Sequence, residues 1–136
     1  MKLSESSEGY ELGIGGLELG LCLIDFGFTM QFGTGEERVS LRIEGPFSCS
    51  LGRDRRVLHA ETDPGGLGPA LKLLHVEGKR GTVSKDGDLT IDFSDGTRLE
   101  VIHDEHYEAW TLNDSGGLTI VAGPNGRLSI FRPAVK

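Results

Sequence analysis

Between Cys22 and Phe32 the even positions are Cys22, Ile24, Phe26, Phe28, Met30 and Phe32, while Asp25, Gly27, Thr29 and Gln31 fall among the odd ones. A period of two marks a strand with one buried face, so this run predicts a half-buried β-strand that Gly27 bends. Val39, Leu41 and Ile43 then alternate with Ser40, Arg42 and Glu44. A hairpin looping over Gly33 to Glu36, with Met30 opposite Val39 and Phe28 opposite Leu41, gathers the apolar side chains on one face. Pro46 has no amide to give a ladder, which places the end of regular pairing near Gly45-Pro46.

The device returns further along the chain. Leu89, Ile91 and Phe93 alternate with Thr90 and Asp92, then Leu99 and Val101 alternate with Arg98 and Glu100. A three-residue loop, Ser94-Asp95-Gly96, sets Ile91 opposite Leu99 and Asp92 opposite Arg98, with Gly96 in the left-handed position. A two-residue loop would set Ile91 against Glu100, on the wrong face. Aligned on Phe32 and Phe93, the two hairpins read as copies of one unit, a pseudo-repeat spanning about 20–50 and 82–112.

Pro69 to Val76, closed by Gly78, has the apolar spacing of a short helix. Three more runs, Tyr107 to Leu112, Leu118 to Ala122 and Arg127 to Phe131, are separated by glycine-rich turns and predict an antiparallel meander whose last strand leaves an exposed edge. The whole predicts a mostly-β domain: antiparallel hairpins in a curled sheet or two-sheet sandwich with one short helix.

With 136 residues the chain makes one domain, 1–136, of which 1–9 are expected to be disordered. The start, MKLSESSEGY, lacks the apolar stretch of a signal peptide, and no apolar run approaches the roughly 20 residues of a membrane span, so the expected location is the cytoplasm. Cys22 and Cys49 are too few for a disulfide scaffold and lack metal-ligand spacing; reduced core thiols are expected.

Charge changes the picture most. Asp86 to Asp114 holds nine carboxylates against Arg98 alone, a net −8, whereas the rest of the chain has 13 cations and 12 acids. If these acids share one face, their field attracts a basic partner and repels nucleic acid and anionic membrane.

The Ile24-Asp25-Phe26 spacing, Asp95-Gly96, and above all Tyr107-Glu108-Ala109-Trp110 followed by Gly123-Pro124 resemble a small bacterial domain family of unknown function, over about Gly20 to Phe131. The resemblance implies a compact bacterial domain with no assigned enzyme activity and no catalytic residues to carry over.

Chemistry is sparse. His103-Asp104-Glu105-His106-Tyr107-Glu108 is the densest set of metal-ligand types, but on a strand His103 and His106 point to opposite faces; only Asp104, His106 and Glu108 share one, and no metal or other cofactor is expected. There is no Gly-x-Ser-x-Gly elbow, Gly13-Ile14-Gly15-Gly16 lacks the Lys-Ser/Thr of a phosphate loop, and apolar strand contexts raise thiol pKa values. Alternation sets Glu108 on the face of Trp110, partly buried. Arg53-Asp54-Arg55-Arg56 reads as a solvated loop. The expected function is therefore non-catalytic: a protein-binding domain, in the form of an immunity-type inhibitor that neutralises a basic toxin or nuclease through Asp92, Asp95, Glu100, Asp104, Glu105 and Tyr107, acting as a monomer or weak homodimer. The alternative is a small-ligand-binding domain or minor enzyme with a pocket at His106, Tyr107, Glu108 and Trp110.

Overall fold

Apolar alternation resolves, in the computed structural model, into two antiparallel sheets packed face to face; the structure describes residues 1–133. The seven-stranded sheet runs β1 (Leu3–Ser6), β2 (Gly9–Leu12), β8 (Gly78–Ser84), β9 (Leu89–Phe93), β10 (Arg98–Val101), β6 (Phe47–Leu51) and β7 (Asp54–Leu58). The six-stranded sheet runs β13 (Leu128–Phe131), β12 (Thr119–Ala122), β11 (Trp110–Asp114), β5 (Glu37–Ile43), β4 (Phe28–Thr34) and β3 (Leu19–Ile24). It is a sandwich, not a curled single sheet.

The chain traces the same path twice. The meander β3–β4–β5 lies in the six-stranded sheet, and Glu44-Gly45-Pro46 then carries the chain over to β6–β7, where β6 pairs with β10. The meander β8–β9–β10 lies in the seven-stranded sheet, and residues 102–109 carry the chain back to β11–β12–β13, where β11 pairs with β5. The registers correspond in detail. In β3 the pairing slips between Leu19, opposite Phe32, and Leu21, opposite Gln31; in β8 it slips between Gly78, opposite Phe93, and Arg80, opposite Asp92. Leu19 thus corresponds to Gly78, Leu21 to Arg80, Leu23 to Thr82 and Ile24 to Val83. Glu18 and Glu77, the residues just before these strands, form a bridge with each other.

Inward-facing side chains of the two sheets interdigitate. Phe28 stacks on Phe47 at 5.6 Å and Phe32 on Phe93 at 5.9 Å between ring centroids. Each such ring, almost fully removed from water, contributes roughly 1.5–3 kcal/mol by transfer alone. Trp110, Leu41, Leu89 and Leu99 complete this layer. The helical segment is shorter than the sequence predicts, a single turn α1 (Gly68–Leu71), but Leu67, Ala70 and Leu73 still join the core.

Three expectations are corrected. The alternation from Cys22 to Phe32 is not one strand: β3 and β4 are separate, joined by a turn in which Asp25 Oδ1 accepts the Gly27 amide at 2.8 Å, and Phe26 is 79% exposed at its tip. The β4–β5 hairpin pairs Phe32 with Val39, Met30 with Leu41 and Phe28 with Ile43, two residues away from the expected register. A slip of two leaves every side chain on its own face, so the pattern could not detect it. Residues 1–9 are ordered: β1 pairs with β2, and the amine of Met1 donates to Asp114 Oδ2 at 2.9 Å. Burial opposes the charge on Asp114, but this amine and the amides of Leu118 and Gly116 outweigh it and hold the carboxyl below its ordinary range.

By contrast, β9–β10 follows the predicted register, with Ile91 opposite Leu99 and Asp92 opposite Arg98. The final strand β13 is an edge, as expected. Among the described residues no helix is long and apolar enough to cross a membrane.

Candidate functional site: a carboxylate-rimmed cleft

The loops that carry the chain from sheet to sheet meet at one end of the sandwich, and beside them lies a cleft of about 880 Å³. Val57, Ser48 and Glu100 are cross-strand neighbours on the outer face of β7, β6 and β10 and supply one wall. The crossing loop 102–109 supplies the other with Ile102, His103, Asp104, Tyr107 and Glu108, while Glu44, Pro46, Arg55, His59 and Glu61 close the rim.

The crossing loop holds its shape through hydrogen bonds its own sequence provides. Asp104 Oδ1 accepts the amides of His106 at 2.8 Å and Tyr107 at 3.3 Å, and the Asp104 carbonyl accepts the Asn125 amide at 2.8 Å. Asp88 Oδ1 accepts the His103 amide and also contacts His103 Nδ1, both at 2.8 Å. Trp110 donates its indole N–H to the Gly87 carbonyl at 2.9 Å, wholly buried. Gly87 and Gly126 both have positive φ and pack backbone against backbone, and a Cβ on Gly126 would lie 2.9 Å from the His103 ring. Three loops are thereby locked together, which makes the cleft pre-formed.

Three large apolar side chains stand open in it: Val57, Ile102 and Tyr107, each more than 60% exposed. Among the described residues, five carboxylates surround them, Glu44, Glu61, Glu100, Asp104 and Glu108, against one permanent cation, Arg55. Glu44 is held by Arg42 Nε at 2.7 Å, a hydrogen bond that raises the Arg42 pKa against the opposing effect of burial. Glu61, Glu100 and Glu108 have no ion-pair partner among the described residues. The arrangement is suited to hold a cation whose stem is apolar.

The expected single acidic patch is not formed. Glu100, Asp104 and Tyr107 reach the cleft; Asp92, Asp95 and Glu105 do not line it. Asp92 sits in a cross-strand row between Arg98 and Arg80 and is bonded to Arg98 at 2.7 and 3.3 Å, so its charge is met within the sheet. Asp95 lies at the far end of β10 and accepts the Thr97 amide at 2.9 Å. Asp114 is engaged by Met1, and Asp88 by His103. The expected pocket is also revised. Trp110 is buried in the core, and His106 is exposed outside the cleft, its ring edge-on to Tyr107 at 6.2 Å. Glu108 does line the cleft but is exposed, because β11 begins only at Trp110 and the alternation does not extend back to it.

Because 102–109 is not a strand, Asp104, His106 and Glu108 do not share a face as a straight segment would require, and among the described residues no three His, Cys, Asp or Glu converge on a metal position. Burial pushes the thiols of Cys22 and Cys49 each up to about 11, which leaves little thiolate at neutral pH. Of the run expected to be a solvated loop, only Arg53 lies in the β6–β7 turn; Asp54, Arg55 and Arg56 are exposed residues of strand β7, with Asp54 bonded to Arg56 at 3.0 Å. Val57 and Ile102 are not among the residues the sequence singles out. Each follows or precedes an inward apolar neighbour, Leu58 or Val101, so one of every two adjacent apolar residues must face outward, and that was the available signal.

A protein-family model described as "Family of unknown function (DUF6188)" matches residues 10–132. No curated protein and no solved structure matches the chain.

Proposed function

The chain belongs to this family of unknown function, and on that premise we propose that it is a non-catalytic binding domain whose cleft takes a basic segment of a protein partner. The observation that carries the reading is the exposure of Val57, Ile102 and Tyr107 inside a rim of unpaired Glu61, Glu100 and Glu108. Apolar walls accept the methylene stem of a lysine or arginine while carboxylates meet its head, and such pairs both orient a partner and speed its approach. The specific form we propose is an immunity-type inhibitor acting in the cytoplasm: a toxin or nuclease that needs exposed cations to hold phosphate offers the chemistry this rim would mask.

Selection of displayed random peptides on the immobilised chain tests this. Enriched sequences should carry Lys or Arg beside an aromatic or aliphatic residue, bind more weakly as salt rises, and lose at least about tenfold in affinity to the Glu61→Lys/Glu100→Lys variant. Enriched peptides without excess Lys or Arg, or affinity indifferent to the charge reversal, would reject the reading.

One observation favours the alternative of a small-ligand site. Asp88 engages Nδ1 of His103, which leaves Nε2 as the ring nitrogen available to a ligand or a proton. If small metabolites rather than basic peptides raise the melting temperature, and His103→Gln abolishes the rise, that alternative replaces the first.

A further inference from the structure

The two halves of the chain leave corresponding sheet edges in opposite conditions. The edge of β8 is covered by β2, which pairs antiparallel with Gly81 to Ser84. Among the described residues the corresponding edge of β3, from Leu21 to Ile24, ends its sheet, and only Leu19 meets neighbours there, with its amide on the Val76 carbonyl at 2.9 Å and its carbonyl on the His75 amide at 2.7 Å. The uncovered strand is also the more apolar of the two. Where β8 has Arg80 and Thr82 on its outer face, β3 has Leu21 and Leu23, 48% and 47% exposed; on the inner face Ile24 is 41% exposed.

Edge strands in soluble proteins are ordinarily blunted by charge. Here β1 carries Glu5 and β7 carries Asp54, Arg55 and Arg56, whereas neither β3 nor β13 contains a charged residue; of these two, β3 is the longer, six residues against four, and presents Leu21 and Leu23 on its outer face between the flanking Glu18 and Asp25. We propose that β3 pairs antiparallel with β3 of a second copy of this chain, joining two six-stranded sheets into one across a twofold axis. A twofold perpendicular to the sheet keeps outer faces together, which requires odd residues to oppose odd ones. Centred on Cys22, that register sets Leu21 against Leu23 of the copy and Gly20 against Ile24. The acids just outside the run, Glu18 and Asp25, fall opposite Phe26 and Leu19, so no like charges meet. Residues 75 and 76, already on Leu19, limit the ladder to the stretch that is bare. An isologous contact of this kind closes at two copies and leaves no further β3 edge to grow from. It lies apart from the cleft, so it neither requires nor disturbs the basic-segment reading.

Sedimentation equilibrium of the full chain over a wide concentration range decides it. The expected result is a concentration-dependent rise from 14.7 kDa towards double that mass, abolished by Leu23→Lys and unchanged by Phe131→Lys, which charges the β13 edge instead. Far-UV circular dichroism of Leu23→Lys should match the parent, since the side chain is solvent-exposed in the single copy. A chain that stays at 14.7 kDa throughout, or a dimer that survives Leu23→Lys, overturns the proposal.

Discussion

Strands β3 and β8 occupy the same place in the two halves, carry a register slip at the same point and lie opposite the equivalent phenylalanines, yet one is covered by the chain's own N-terminal hairpin and the other is bare. The difference shows that position in a fold does not by itself dictate a strand's polarity. Its surroundings do, and where the surroundings differ the sequences have diverged: Arg80 and Thr82 on the outer face of the strand whose edge is paired, Leu21 and Leu23 on that of the strand whose edge is bare.

If the halves are energetically matched, Phe32→Ala and Phe93→Ala should each cost about 3–5 kcal/mol by chemical denaturation, and the double variant less than their sum because the rings stack on each other. Markedly unequal single costs would show that the halves share a path but not a load. Leu12→Ala, in the buried end of the strand that covers β8, should cost about 2–5 kcal/mol, while Leu23→Ala on bare β3 should stay within about 0.5 kcal/mol when measured on dilute chain. Equal losses would mean β3 is covered after all.

The tether of the covering hairpin gives a smaller effect with a pH signature. Asp114, depressed below its ordinary carboxylate value, binds fewer protons folded than unfolded, so its contribution is complete above about pH 4 and is lost as pH falls through the folded value. Asp114→Asn should therefore lower stability by about 1–2 kcal/mol at pH 7 and flatten the acid limb of stability against pH; an unchanged acid limb would assign that limb to other carboxylates. Smallest is the exposed pair between Arg80 and Glu11 across β8 and β2, at 3.2 Å: Glu11→Gln should change the melting free energy by roughly 0.2–1 kcal/mol, less in high salt.

Legibility followed the same division. The β9–β10 hairpin is read in its observed register because a three-residue loop with Gly96 in the left-handed position keeps Ile91 and Leu99 on one face, whereas a two-residue loop does not. The β4–β5 register could not, since Gly33 and Gly35 both take left-handed conformations and alternation is blind to a shift of two. The turn at Asp25 to Gly27 was hidden because it preserves parity, leaving Ile24, Phe26 and Phe28 in an unbroken series although Asp-x-Gly is itself a turn signal. Of the site, only Glu100, Asp104, Tyr107 and Glu108 were foreseen. The cleft draws its walls from strands and loops distant in the chain, and no local pattern records that Val57 and Ile102 would face each other's neighbourhood. The dense run of acids misled because adjacency in sequence is undone when strands reverse direction: it scatters Asp92, Asp95 and Asp114 to separate surroundings.

The crossing of each half into the other's sheet has a consequence for synthesis. When the ribosome has released β6 and β7, the strand that β6 needs beside it, β10, has not yet been made, and β5 must wait longer still for β11. Unsatisfied hydrogen-bonding edges therefore persist on the nascent polypeptide until translation passes Asp114, and stable structure arrives late and all together rather than one half after the other.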